Sequence, residues 1–189
     1  VQSGVTSIGD YAFYGYGYTY PNLTALSLPD SLTAIGNYAF YDCGALASVT
    51  LPDNLTSIGQ QAFYSCDALA SVAIPDSVKS IEGSAFGDCA QLVLTVTENK
   101  ESYAYAVREG VRFKLVGGDT VYHYVAAGDC GADGAAVHWK LDDNGILTIS
   151  GSGAMSECDS YYGGPWHDWR ESVKSVDVQS GVTSIGDYA

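Results

Sequence analysis

Three segments of 23 residues follow one another in register: "LPDSLTAIGNYAFYDCGALASVT" (residues 28–50), "LPDNLTSIGQQAFYSCDALASVA" (51–73) and "IPDSVKSIEGSAFGDCAQLVLTV" (74–96). A looser copy precedes them, because Ile8 to Ile35 spans 27 positions where Ile35 to Ile58 and Ile58 to Ile81 each span 23. A turn of chain this short cannot bury its own apolar edge, so several must stack on one another to make a continuous core. Within one copy, strand alternation points Val49 and Leu51 inward and Ser48 and Thr50 outward. Pro-Asp then turns the chain, Leu55 and Ile58 point inward again, and Ala62 with Phe63 fills the far side before Cys66. Stacking in register predicts that Phe13, Phe40, Phe63 and Phe86 form one ladder. Cys43, Cys66 and Cys89 also recur at 23-residue spacing, which predicts small buried thiols stacked coil upon coil. Cys130 and Cys158 lie outside the repeat, and a local disulfide between them stays open.

The L-x-x-L-x-L spacing of Leu46, Val49, Leu51 and of Leu69, Val72, Ile74, at a period in the twenties, is the leucine-rich-repeat signature. The fold expected is mainly β with short helices: a leucine-rich-repeat solenoid plus a small antiparallel β-rich leader domain. Residues 1–97 give the coils and 98–118 the C-terminal cap. In the cap "ENKESYAYAVREGVRFKLV" predicts a short helix over 102–109, a stop at Gly110 and a strand over 111–115. Residues 119–172 give the leader domain. There "AVHWKL" and "ILTIS" alternate around Asp142, Asp143, Asn144 and Gly145, a hairpin pattern whose spacing does not match a calcium loop. Pro165 is placed to begin a short helix carrying Trp166 and Trp169. Residues 173–189 read as the start of a further array, because "SVKSVDV" opens a new L-x-x-L-x-L.

The pattern "SIGxxAFxxC…LxxVxLPDSL" resembles the BspA-like leucine-rich repeats of bacterial surface proteins, matched in four consecutive copies. The cap "ESYAYAVREGVRFKL" is similar to that family's usual ending. The segment "GDCGADGAAVHWKLDDNGILTISGSGAM…PWHDWRESVKSVDV" resembles the β-rich stretch that often precedes such arrays. Cys158 and the tyrosine-rich insertion in the first coil depart from the pattern. The resemblance implies a secreted or surface-attached bacterial protein whose work is adhesion.

Composition narrows the partners further. Against 8 Lys plus Arg stand 22 Asp plus Glu, a net charge of −14 that repels nucleic acid and anionic lipid. No apolar run reaches the roughly 18–20 residues of a membrane helix, so neither nucleic acid nor membrane insertion is expected. His123, His138 and His167 are scattered without metal-ligand spacing, and "SGSGAM" lacks the first glycine of a nucleophile elbow. The expectation is a non-catalytic chain with no metal and no cofactor, binding extracellular protein or glycan. Candidate ligand contacts are Tyr14, Tyr16, Tyr18 and Tyr20 of "YGYGYTY", and the outward strand positions Ser48, Thr50 and Ser71. Tyrosine gives a large amphipathic surface at low entropy cost. The alternative is a structural spacer or filament-forming tandem repeat with no ligand of its own.

That alternative draws on one further feature. "VQSGVTSIGDYA" occupies both residues 1–12 and residues 178–189, 177 positions apart. Such identity predicts that the chain is a window on a longer tandem array, the strand 173–177 standing before each first coil. Neighbouring copies would meet head to tail, Ile8 and Leu26 of one against Trp166, Trp169 and Val176 of the next.

Overall fold

The computed structural model describes residues 4–15, 22–98, 100–132, 136–158, 164–187 and 189. They fall into two compact units, Val1–Tyr122 and His123–Ala189. The expected division at 118/119 thus falls at 122/123, because Tyr122 bridges back to Phe113 through two backbone hydrogen bonds of 2.6 and 2.8 Å.

In the first unit the strands run β1 (Ser7–Ile8), β2 (Ala25–Ser27), β3 (Ala34–Ile35), β4 (Ser48–Thr50), β5 (Ser57–Ile58), β6 (Ser71–Ala73), β7 (Ser80–Ile81) and β8 (Val93–Val96). One sheet is purely parallel, in the order β1-β3-β5-β7, with Ile8, Ile35, Ile58 and Ile81 directly opposite one another. On another side of the coil, β2 pairs with β4 and β6 with β8, again in parallel. The first unit is therefore a spiral of very short strands, one coil per repeat, as the period predicts.

Each inward position becomes a ladder. Leu32 and Leu55 continue as Val78, Leu46 and Leu69 as Leu92, and all are buried. The phenylalanines stack as predicted: Phe13–Phe40, Phe40–Phe63 and Phe63–Phe86 have ring centroids 5.2, 5.1 and 5.2 Å apart and nearly parallel planes. The cysteines form a ladder too. Each thiol donates to the phenylalanine carbonyl of the coil before it, Cys43 to Phe13 at 3.2 Å, Cys66 to Phe40 at 3.4 Å and Cys89 to Phe63 at 3.1 Å. The repeated cysteine thus fills a small site and gives the phenylalanine carbonyl of the preceding coil a thiol donor.

Two sharp corners in each of the three regular coils, and one in the first, need left-handed backbone, which L-residues adopt at a cost of about 1–2 kcal/mol each. Tyr11, Tyr38, Gln61 and Ser84 take the first corner, with φ between 51° and 57°; Asp42, Ser65 and Asp88 take the second, with φ between 55° and 58°. None is β-branched, the class for which such a φ is least tolerable. Beside the first corner, a Cβ on Gly59 would lie 2.6 Å from the Asn37 amide nitrogen, so only glycine lets the coils approach. A side-chain relay holds the same corner: the Asp10 carboxylate accepts the Asn37 N–H at 2.7 Å, and the Asn37 side-chain oxygen accepts the Gln60 N–H at 2.8 Å.

The last coil is closed by α1 (Glu101–Arg108) and β9 (Phe113–Leu115), which lies parallel to β8. The helix begins and ends one residue before the sequence expectation. Its residues supply what a further coil would have supplied. The N–H of Phe13, Phe40 and Phe63 donates to an alanine carbonyl one coil on, whereas Phe86 N–H donates to the Tyr105 hydroxyl at 2.9 Å. The carbonyls of Ile8, Ile35 and Ile58 accept backbone N–H groups from the next coil, whereas Ile81 accepts from the Arg108 guanidinium at 3.2 Å. The Glu109 carboxylate takes the Ser84 N–H at 3.0 Å, and the Arg112 guanidinium donates to Ala90.

The second unit is one mixed sheet. β10 (Tyr124–Asp129), β11 (Ala136–Asp142) and β12 (Ile146–Ala154) form the antiparallel meander that the alternation predicts. The tip is a turn, in which the Asp142 carboxylate accepts the N–H groups of Asn144 and Ile146 at 3.0 and 2.7 Å. Residues 173–189, expected as the start of a further array, contribute β13 (Ser175–Val178) and β14 (Val182–Ser184), both pairing in parallel with β12. The core holds Val137, Trp139, Leu141, Leu147, Ile149 and Met155. Pro165 precedes a 3-10 helix (His167–Ser172), and Trp166 packs edge-on against Trp139 with centroids 6.1 Å apart.

Candidate functional site

Strand alternation sends small polar groups outward along one side of the coils. Ser48, Thr50 and Ser71 are exposed there, beside Ala25, Ser27 and Ala73. All six are small and uncharged, and none is an aromatic or arginine anchor.

The larger feature comes from the corner that precedes each phenylalanine. Tyr11-Ala-Phe-Tyr14, Tyr38-Ala-Phe-Tyr41 and Gln61-Ala-Phe-Tyr64 occupy equivalent places in successive coils, so their tyrosines stack outside the core. Tyr11 lies on Tyr38 with centroids 4.9 Å apart and planes 6° from parallel. Tyr14 lies on Tyr41 at 5.1 Å and Tyr41 on Tyr64 at 5.2 Å. The two columns touch through Tyr11–Tyr14 at 5.5 Å and Tyr38–Tyr41 at 5.9 Å. Five rings thus make one continuous patch. Tyr11 is 56% exposed and the other four are half-buried.

The patch fades toward the cap. The Tyr11 position becomes Gln61 and then Ser84, and the Tyr14 position ends at Gly87, where a Cβ would lie 3.0 Å from the Tyr64 ring. Of the tyrosines singled out from the sequence, Tyr14 belongs to this patch, stacked on the neighbouring coil. Tyr16, Tyr18 and Tyr20 lie outside the described residues. Tyr11, Tyr38, Tyr41 and Tyr64 were not among those candidates, although the repeated Tyr-Ala-Phe-Tyr carries their signal.

Other chemistry-bearing groups are dispersed. His138 Nδ1 lies 2.5 Å from Asp129, His123 Nδ1 lies 3.4 Å from Asp143 and His167 contacts Arg170. Among the described residues no three His, Cys, Asp or Glu side chains gather as a metal-binding group. All five cysteines are free thiols. Burial and the nearby Asp42 charge push the Cys43 thiol up to about 11, so at neutral pH it remains a hydrogen-bond donor. Cys130 and Cys158 line one depression with Asp129 and Glu157, and burial raises both thiols.

The residues expected at a contact between copies are spread over both units. Ile8 is 6% exposed and packs in the isoleucine ladder, and Leu26 is half-buried opposite Val49. Trp166 is buried in the second unit's own core, whereas Trp169 is 38% exposed and Val176 57%.

A family model described as BspA type Leucine rich repeat region matches residues 6–106, in six copies. No curated protein matches the chain. Among solved structures, the chain is similar to the T. pallidum Leucine Rich Repeat protein (TpLRR), with 32% identity over 50% of this chain and 55% of that one, at a TM-score of 0.44. It is similar in fold to a leucine-rich repeat protein from Bacteroides ovatus, with 16% identity over 100% of this chain and 56% of that one, at a TM-score of 0.50. A leucine-rich repeat protein from Eubacterium ventriosum matches with 20% identity over 99% of this chain and 49% of that one, at a TM-score of 0.40. The chain spans about half the length of these solved proteins. No helix among the described residues is long and apolar enough to cross a membrane.

Proposed function

Because this chain belongs to the BspA-type leucine-rich-repeat family of bacterial surface-type proteins, we propose that it is a non-catalytic extracellular module that binds protein or glycan through its tyrosine patch. The observation that carries this reading is the five-ring cluster of Tyr11, Tyr14, Tyr38, Tyr41 and Tyr64 on the outside of the coils. Ring edges and hydroxyls suit apolar C–H faces and hydroxyl groups equally, and rings already stacked on one another lose little rotamer freedom when a partner arrives. Tyrosine is also among the residues that dominate interface energetics, which Ser48, Thr50 and Ser71 are not. With a net charge of −14, neutral or basic partners are favoured over acidic ones.

The test compares the intact chain with a quadruple variant, Tyr11→Ser, Tyr14→Ser, Tyr38→Ser and Tyr41→Ser, on arrays of extracellular matrix proteins and cell-surface glycans. Binding by the intact chain should fall at least about tenfold in the variant, the equivalent of about 1.4 kcal/mol. Circular dichroism confirms that the coils remain folded. Equal binding by the two chains, or no binding by the intact one, refutes the reading.

A further inference from the structure

The coils that carry the tyrosine patch hold charge of one sign. No lysine or arginine stands among residues 1–78, whereas Asp10, Asp30, Asp42, Asp53, Asp67 and Asp76 do; the 8 basic residues of the chain begin at Lys79. All six carboxylates are exposed. Asp76 meets Lys100 at 4.0 Å, and among the described residues the other five have no basic side chain at ion-pair distance. Two of those five border the patch, one on each side. Asp10 precedes Tyr11, and its carboxylate accepts the N–H of Asn37, the residue before Tyr38, at 2.7 Å. Asp42 follows Tyr41, and its own N–H donates to the Tyr64 carbonyl at 2.8 Å. The column of Tyr11 and Tyr38 thus has a carboxylate at one margin, and the column of Tyr14, Tyr41 and Tyr64 has one at the other.

The stacking decides which part of each ring a partner meets. With planes 6° to 26° from parallel, the faces of the rings turn toward the neighbouring coils, and edges and hydroxyls stand outward. Ring edges pack against methylene stems, phenolic oxygens accept N–H donors, and a carboxylate at the margin takes a full positive charge. Lysine and arginine carry a stem, N–H donors and a positive charge in one side chain, whereas a neutral sugar leaves the carboxylates without a counter-charge. We propose that the tyrosine patch, with Asp10 and Asp42 at its margins, receives a lysine- and arginine-rich peptide segment of another protein. The proposal rests on the reading of the patch as a binding surface and narrows its partner from protein or glycan to a basic peptide. The remaining carboxylates of the coils draw such a segment in from a distance, an attraction that salt screens.

Fluorescence anisotropy of the intact chain with two labelled probes of equal length, an arginine-lysine oligopeptide and a glutamine oligopeptide, provides the test. The basic probe should bind at least about tenfold more tightly than the neutral one, and its affinity should fall as salt rises. Asp10→Asn combined with Asp42→Asn should weaken it at least about fivefold. Both substitutions keep the coils, since Asp10→Asn leaves an oxygen for the Asn37 N–H and Asp42→Asn suits the left-handed φ of 58°. Asp30→Asn combined with Asp53→Asn makes the same charge change at the Pro-Asp turns and should weaken binding less than about twofold. Equal binding of the two probes, or equal losses from the two aspartate pairs, would overturn the proposal. The quadruple tyrosine-to-serine variant separates this failure from that of the patch itself. If it loses a neutral glycan or the glutamine probe that the intact chain binds as well as the basic one, the patch binds and the basic partner is wrong. If it keeps the basic probe at full affinity, or if the intact chain binds neither probe and no glycan, the patch is not the binding surface and both readings fall.

Discussion

Replacing Tyr105 by Phe removes one oxygen and tests whether the cap works by standing in for a coil. The Tyr105 ring packs edge-on against Phe86 with centroids 6.1 Å apart, and Phe keeps that contact. The Phe86 N–H, however, donates to the Tyr105 hydroxyl at 2.9 Å and lies where water has no access, both residues being buried. A buried donor left without an acceptor costs about 1–3 kcal/mol. One kcal/mol shifts a melting temperature by roughly 4–8 °C in domains of 60–100 residues and by roughly 2–4 °C at 150–250 residues. The first unit, Val1–Tyr122, lies between those sizes, so a fall of roughly 3–15 °C is expected. Differential scanning calorimetry at neutral pH reads it directly. Hydrogen exchange adds a local check, because the Phe86 amide should exchange faster than the Phe63 amide, whose acceptor is the Ala85 carbonyl. An unchanged melting temperature together with an unchanged Phe86 exchange rate would show that the hydroxyl is not the acceptor that ends the ladder.

Phe63→Ala should cost about 3–5 kcal/mol, because the ring is buried between Phe40 and Phe86 at 5.1 and 5.2 Å; urea unfolding measures it, and a loss below about 1 kcal/mol contradicts the ladder. Gly151→Ala should destabilise the second unit alone, since its φ is 118° and a Cβ there would run into the Ala136 carbonyl oxygen; protease cleavage should concentrate in residues 123–189, and uniform resistance would refute the clash. Stability should fall as pH rises from about 9 to about 11, because the Cys43 thiol is raised from 9.0 to about 11 and therefore keeps its proton when folded after the unfolded chain has lost it. Cys43→Ala should make that decline shallower, and an equal slope in urea midpoints measured at pH 8, 9, 10 and 11 would exclude the thiol as a contributor. In native alkylation followed by mass spectrometry, half-buried Cys158 should react well before buried Cys43 and Cys66; equal rates would mean that the coils open readily.

The coil array was legible because the period fixes every inward position at once: once Ile35, Ile58 and Ile81 share a register, Phe40, Phe63 and Cys66 have no freedom left. The hairpin around Asn144 was equally plain, since alternation on both sides of Asn-Gly admits little else. Tyr11, Tyr38, Tyr41 and Tyr64 were harder to see. Each coil supplies only one or two of them, in "YAFY" or "AFY", and the patch arises only when successive coils stack, whereas "YGYGYTY" draws the eye within seven residues. The role of Tyr105 as an acceptor is a matter of reach across the last coil, which helical periodicity does not encode. Trp166 and Trp169 show the same limit. Their spacing places both near a helix start, and both rings pack on Trp139, at 6.1 and 5.6 Å, yet Trp166 is buried and Trp169 is 38% exposed, a difference that spacing does not encode.

The groups that close the array, Tyr105, Arg108, Glu109 and Arg112, all address backbone atoms: the Phe86 and Ser84 amides and the Ile81 and Ala90 carbonyls. Every coil offers those same atoms in the same places, whatever its side chains. The terminator therefore asks of its coil chiefly the backbone atoms and the phenylalanine that successive coils share, with the Ser84 hydroxyl on Glu109 as an added side-chain contact. A recombination event that adds or removes 23 residues in frame should leave the ending as well seated as before, with no compensating change in the cap. Length becomes a quantity that a lineage can alter in whole steps, like marks on a ruler, without renegotiating how the array is closed.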